Sequence, residues 1–552
     1  MPAILASMRF GESPERVPGM TSAGDIRMSV AAWTAAGLLG YGILLRVSYG
    51  GRIDSDGANS ALQAWDLIHG HVLLHGWLLG DATFYAFELP VNGVAELLLG
   101  LGPQAAHVAS AAAYFIVVAL AVALAVSDSW GAARVARSAV TVTVLTVPLL
   151  TMLTVSALVE EPDHAGTAAF LLAAALLIDR CRGRWFTAPL VCLLLCAGEL
   201  SDATVLYVGV PAVVLACLYR MLAARQLRCA DAAVAVAAIA SVLVAPAIRG
   251  LEVHLGGYLM VAPNTEIAPL SQWPGHVPAV WLVIRYLFAA VPRPDTTLVV
   301  GGALGMLCLA VAVAGLTRVA WTWQRASAAE QVLALIIVAN IGAFLAGRPT
   351  PSGAHEIAVV LPCAAVLAAR LVPAEIGGRL RGYAAVAVTV LLALVPLSAA
   401  ASRPNAAPAL GPAPGDSESG PTRPLTAWLR AHGYTYGLSS YWSSSVVTLE
   451  SGGDVNVRAI TLVPDGAAPG AHWQVRAPAW EANALWYDPA LHDATFVAAF
   501  RTGRYRAATY ERAFGKPAAI YPVGSTWLVL DYKANLLTRL LPRMPMGKGP
   551  KS

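Results

Sequence analysis

RIDSDGANSALQAWDLIHGHVLLHGWLLGDATFYAFELPVN, residues 52–92, lies between two long apolar runs and holds five acidic residues and three histidines. A connector between two membrane crossings need only be short and polar. This one repeats Ala61, Leu62, Trp65 and Ile68 at helical spacing just after a pair of aspartates, Asp54 and Asp56. The expectation is an amphipathic helix at a membrane surface, forming part of an active site.

Outward from that loop, composition sets the class. The 552 residues are 57% hydrophobic and 13% charged, with a mean hydropathy of +0.62. Repeated apolar runs in such a chain read as membrane helices, so the fold class is a polytopic α-helical membrane protein with about eleven transmembrane helices between residues 29 and 401. Residues 1–28 form a polar tail with no small-residue cleavage site after the apolar run, and Met28 to Val47 therefore reads as a retained helix. Arginines cluster in alternate connections, from Arg134 and Arg137 to Arg379 and Arg381. By the positive-inside rule the N-terminus is cytoplasmic, the loops 48–104 and 250–296 are outside, and so is the C-terminus. The net charge of +4 is spread thinly, with no basic block, which sets nucleic-acid binding aside.

Residues 402–424 are a Pro-, Ala- and Gly-rich linker, and 425–552 have the polarity of a soluble domain. LTAWLRAHG (425–433) reads as helix; TFVAAF (495–500), AAIYPV (518–523) and TWLVLDY (526–532) read as strands, so a mixed α/β domain outside the cytoplasm is expected. None of the seven cysteines falls in it, and none has zinc spacing. All eleven histidines fall on the outer side, which short inner loops alone would partly explain. The first loop, EEPDHAG (160–166), GELSDA (198–203) and GRPTPSGAHE (347–356) should open at one depth, as parts of a single cleft.

The loop order resembles a known family. An inside N-terminus, a long first outer loop with a DxD-like motif and amphipathic helix, many spans and an outer C-terminal domain are similar to the GT-C superfamily of membrane glycosyltransferases. Asp54-Ser55-Asp56, the helix ending at His69-Gly70, and Phe87-Glu88-Leu89-Pro90 come in the order seen in its aminoarabinosyl branch. The second proline and the lysine of that branch are missing here. The resemblance implies a polyprenyl-phosphate sugar as donor, an extracytoplasmic glycan, lipid or protein as acceptor, and inversion at the sugar. Abundant alanine and arginine with only four lysines point to a GC-rich bacterial source, and hence to a multi-pass place in a plasma membrane.

Residue chemistry fits such a transfer. Phosphate is already a good leaving group, so the enzyme chiefly needs a base for the acceptor hydroxyl and cations for the phosphate. Asp54 and Asp56 are the candidate catalytic pair, and their hard oxygens could share a divalent ion such as Mg or Mn. The competing reading makes Asp56 a helix N-cap. Glu88, in an aromatic setting, and Asp163 with His164 are candidate substrate contacts; the alternatives are an interfacial glutamate and a helix-capping segment. His71 and His75, four apart, would share a helix face and suit either substrate or metal. Arg348, then Arg285 and Arg293, are candidates for the donor phosphate, unless they merely snorkel. The tyrosines and tryptophans between Tyr434 and Tyr487 suit sugar stacking or core packing. No Walker A or Rossmann pattern favours a nucleotide-sugar donor. The other classes kept open are a transporter or flippase of a lipid-linked saccharide, for which charges within the spans and repeated halves are wanting, and a non-catalytic envelope scaffold.

Overall fold

The computed structural model describes residues 23–150, 158–159, 164–261, 267–291, 296–347, 349–350, 353–375, 421–464 and 473–541. Residues up to Gly42 form one compact unit, whose described part is helical, and Ile43–Ser552 form the other. Helix α1 (Ala23–Ser48) runs across that boundary.

In the second unit, helix α2 (Ser55–Ile68) follows and buries Ala58, Ala61, Leu62 and Ala64, the face its sequence period marks out. It ends at His69, whose ring packs on Trp65 with centroids 4.1 Å apart. Strand β1 (Trp77–Leu79) and helix α3 (Glu88–Leu99) complete the loop. α3 approaches α2 so closely at Gly93 that a Cβ there would stand 2.8 Å from Ile68 Cγ2. Trp77 is fully buried, and its indole N–H donates to Asp66 Oδ2 at 2.7 Å, the partner a buried tryptophan requires.

The bundle follows as α4 (Pro103–Ala125), α5 (Gly131–Thr146), α6 (Ala165–Arg180), α7 (Thr187–Ser201), α8 (Val210–Ala224), α9 (Cys229–His254), α10 (Trp273–Leu287), α11 (Thr296–Trp321), α12 (Ala328–Ala346) and α13 (Val360–Ala369). Among the described residues six helical segments are long and apolar enough to cross a membrane, fewer than the eleven expected. Several expected spans are short helices instead. Every residue of α13 is buried, against α5, α11 and α12, so neighbouring helices shield it in place of lipid. The last expected span, 382–401, lies outside the described residues.

Ion pairs tie one end of the bundle together. Arg137 meets Asp128, Arg182 and Arg220 meet Asp231 at 2.5 and 3.7 Å, Arg318 meets Glu330, and Arg370 meets Asp179 at 3.0 Å. These residues come from connections that the arginine pattern assigns to one side. The opposite end carries the acid- and histidine-bearing loops.

The C-terminal region has a five-stranded mixed sheet in the order β4-β3-β8-β10-β9, formed by β4 (Asn456–Ala459), β3 (Tyr436–Ser439), β8 (Phe496–Phe500), β10 (Trp527–Asp531) and β9 (Ala519–Val523). β8, β10 and β9 are antiparallel, while β3 runs parallel to both its neighbours. Leu438, Phe496, Val497, Trp527 and Val529 form its core with Tyr510 and Phe514.

This region is not set apart from the first loop. Helix α14 (Arg423–Ala431) opens it, and α15 (Tyr441–Glu450) packs against α2, with Val446 and Leu449 joining Ile53, Ala58 and Ala61 in one apolar cluster. Strand β7 (Ala482–Asn483) pairs antiparallel with β1, whose other edge pairs with β2 (Leu259–Met260). One small sheet therefore joins three segments distant in sequence, and places the C-terminal region on the same side as the first loop.

Candidate active site

The DSDG turn becomes a helix start, and the residue that caps it is Asp54, not Asp56. Asp54 has extended φ and ψ of −93° and −165°, and its Oδ1 accepts the N–H groups of Asp56 and Gly57 at 3.0 and 3.1 Å. Asp56, in the first turn, is thereby turned toward the C-terminal region. The Tyr441 hydroxyl donates to Asp56 Oδ1. Ser55 Oγ donates to the Tyr441 carbonyl at 2.5 Å, Asn59 Nδ2 to the Tyr441 hydroxyl oxygen at 3.3 Å, and Ser445 Oγ to Asn59 Oδ1 at 2.7 Å. Burial, and then the charges of Asp56 and Glu481, push the Tyr441 phenol well above its ordinary value, so it remains a proton donor at neutral pH.

Glu481 closes this group. It accepts from Gln63 Nε2 at 2.8 Å on one oxygen and from the Gly80 N–H at 3.0 Å on the other. Both partners belong to the first loop.

A second group begins two residues beyond Gly80. Ala82 bridges to Asp202 of GELSDA, the N–H groups of Thr83 and Phe84 donate to the Ser201 carbonyl at 2.7 and 3.0 Å, and the Ala86 N–H donates to Ser201 Oγ at 2.7 Å. This fastening delivers Glu88 to the start of α6, where its Oε1 accepts the Gly166 N–H at 2.6 Å. Glu88 is 4% exposed, and Oε2 is buried without a hydrogen bond. Burial pushes its carboxyl up to about 8 against the opposing Gly166 N–H, so at pH 7 it is mostly neutral. Gly166 has no room for a side chain: a Cβ would stand 2.7 Å from Glu88 Oε2 and 2.8 Å from Phe87 Cβ.

Asp202 is equally buried and shifts the other way. Burial alone would raise it, but the charge and hydrogen bond of His164, with Thr167 Oγ1 and the Thr204 N–H, bring it down to about 2. His164 stacks parallel to His355, with centroids 6.3 Å apart. Beside them, burial raises Glu356, with His355 and His164 opposing and Asp81 reinforcing. Two carboxyl groups from neighbouring loops thus stand close together, Glu88 neutral and Asp202 charged at pH 7.

The backbone is strained at both groups. Phe84, His164 and Glu481 have φ of +57°, +60° and +49°. Each costs about 1–2 kcal/mol for a residue with a Cβ, and such conformations persist where surrounding bonds over-determine them.

Of the expected site residues, Glu88 and His164 come together, joined by Asp202, His355 and Glu356 from the loops expected at the same depth. Asp54 and Asp56 belong to the adjoining group, bridged to the first by residues 80–82. His71 and His75 are not a helical pair: α2 ends at Ile68, both lie exposed on turns, and His75 Nδ1 bonds the Gly256 carbonyl at 2.7 Å. Arg285 turns onto its own chain, donating to the Ala290 carbonyl at 3.2 Å. Asp163, Arg293 and Arg348 lie outside the described residues.

Sequence reasoning did not assign Asp202, Glu481 or Arg249 to the site, and it counted Tyr441 only among the C-terminal aromatics. Asp202 stood in a segment already marked; the others follow a serine-rich helix start, an aromatic and an apolar run, with nothing local to single them out. Arg249 donates to the Leu200 carbonyl at 2.9 Å, just before the loop that holds Asp202, and its Nη1 is buried without an acceptor. Among the described residues no three of His, Cys, Asp and Glu are grouped to hold a metal ion. Asp54 Oδ1 and Asp56 Oδ1 already accept from N–H and O–H groups.

No family model and no curated protein matches this chain. Solved structures that align with it include two crystal structures of ArnT from Cupriavidus metallidurans, one in the apo state and one bound to undecaprenyl phosphate. They cover 93% of this chain and 100% and 99% of theirs, at 12% and 13% identity and TM-scores of 0.36 and 0.35.

Proposed function

We propose that this chain is a multi-pass membrane glycosyltransferase that moves a sugar from a polyprenyl-phosphate donor to an acceptor hydroxyl outside the cytoplasm. The carrying observation is the acid pair at the start of α2, with Asp56 held by a phenol from the C-terminal region and the loop group of Glu88, His164 and Asp202 beside it. Asp54 and Asp56 supply the base that takes the acceptor proton as its oxygen attacks the sugar C1 and the phosphate departs; attack from the face opposite the leaving group inverts that carbon. Neutral Glu88 seats the first loop on the start of α6 without placing a further negative charge near the donor phosphate. Arg249, with Arg348, answers the donor phosphate, and His164 and Asp163 border the sugar. About eleven crossings, a cytoplasmic N-terminus and an outer C-terminal region complete the reading.

A divalent ion enters no step. Chelation by EDTA tests it separately: unchanged turnover is expected, and loss restored by Mg or Mn would place an ion at Asp54 and Asp56.

The experiment is transfer by the purified, lipid-reconstituted full chain from a radiolabelled polyprenyl-phosphate sugar, with Asp56→Asn and Asp54→Asn as variants. Turnover should fall by a factor of about 10² to 10⁴ with the melting temperature unchanged. Label that crosses the bilayer with its sugar–phosphate bond intact would instead establish a transporter, and wild-type levels in both variants would remove the pair from the chemistry.

A further inference from the structure

Trp442 and Trp480 are large apolar side chains at 40% and 47% exposure, and both pack on one residue. The Tyr441 ring meets Trp442 edge-on at 5.3 Å between centroids and Trp480 at 5.1 Å with the planes 33° apart. Tyr441 is also the residue whose hydroxyl donates to Asp56. Two open indole surfaces thus flank the phenol that holds a candidate base. Trp480 precedes Glu481, whose two bonds to the first loop and left-handed backbone anchor this stretch of chain.

From this juxtaposition we infer that Trp442 and Trp480 form a saccharide subsite, supplied by the C-terminal region and contiguous with the acid pair. A sugar ring has an apolar face of C–H bonds with polar hydroxyls at its rim. The C–H face packs on the electron-rich face of an indole, and the rim faces the half-buried carboxylate of Asp56. A lipid headgroup surface would fit exposed tryptophans in isolation, but not their convergence on a tyrosine bonded to an acid. The ring belongs either to the donor sugar or to a saccharide acceptor; both have the same chemistry. The inference rests on the proposed transferase reading but is tested without it.

The first arm is binding. Saturation-transfer NMR on the full chain in lipid nanodiscs, titrated with a panel of methyl pyranosides and methyl furanosides, should find at least one that binds. Trp442→Ala and Trp480→Ala should each weaken it at least fivefold, Trp442→Phe and Trp480→Phe should retain it, and Trp281→Ala, an exposed tryptophan elsewhere, should leave it unchanged. The second arm is kinetic: a higher KM for acceptor alone assigns the ring to the acceptor, and a higher KM for donor alone to the donor. Glycoside binding without any transfer would sink the transferase reading and leave the subsite standing. Binding and both KM values untouched in the doubly substituted, folded protein would overturn the subsite, as would tryptophan variants that alter only retention on liposomes.

Discussion

The two halves of the candidate site solve opposite problems with the same residue types. Around Glu88, His164 and Asp202 the acids are sealed, and their protonation states are set by burial and by one another. Around Asp54 and Asp56 the acids are half-buried, fixed by a helix end and a phenol, and close to exposed aromatic surface. A sealed cluster positions loops; a half-open one can meet a substrate that arrives from outside. Chemistry is therefore assigned to the second group and geometry to the first, although the first has the more displaced acids.

The largest effect that would sharpen this contrast is expected at Asp202. Asp202→Asn leaves His164 and Thr167 without their charged acceptor, and breaking a buried pair on one side costs about 3–5 kcal/mol. Thermal melting of the purified protein should show a drop of several degrees or failure to fold. A melting temperature like that of the wild type would mean the cluster is no latch.

Smaller, and dependent on pH, is the effect of Glu88. A carboxyl raised from its ordinary range to about 8 favours the folded state fully below about 4.5, and that contribution fades as pH rises through 8. Wild-type melting temperatures should therefore decline between pH 6 and 9, and Glu88→Gln, which cannot ionise, should decline less. Glu96, pushed up to about 9 by burial and then by Asp66, acts with the same sign and persists in the variant. Parallel curves for the two proteins would show that Glu88 is not neutral.

The smallest effect separates cap from chemistry. Asparagine caps helices about as well as aspartate, whereas alanine forfeits about 1 kcal/mol. Asp54→Ala should melt lower than wild type by a few degrees, and Asp54→Asn should not, while both lose transfer. If only the alanine variant loses transfer, Asp54 is a cap alone.

Much of this was legible in the sequence because it rests on periodicity. The apolar repeat over residues 61–68 falls on α2, where Ala61 and Leu62 are buried and Trp65 and Ile68 partly so, and the runs at 495–500, 518–523 and 526–532 appear as strands. The loops at 198–203 and 347–356 were marked by their polar residues amid apolar runs, and they meet Glu88 and His164. What stayed hidden depends on pairing over long separations. The Tyr441–Asp56 bond spans 385 residues, and the Gln63–Glu481 bond 418. Nothing in YWSSS or WEAN declares such a partner. His71 and His75 failed for a local reason: four-residue spacing implies a shared face only while the helix lasts, and His69-Gly70 ends it. Among the described residues, the expected spans at 165–178, 186–199 and 355–372 are short helices because burial by neighbours lets a helix be shorter than the hydrocarbon is thick.

The pairing of β1 with β7 has a consequence for biosynthesis. Trp77–Leu79 emerges from the ribosome some four hundred residues ahead of Ala482–Asn483, so throughout elongation one edge of β1 keeps its amides and carbonyls unanswered. Asp56, Gln63 and Gly80 gain their partners only once Tyr441 and Glu481 have been made, after the helices of the bundle. The acid at the start of α2 and the phenol that holds it are therefore brought together late in synthesis.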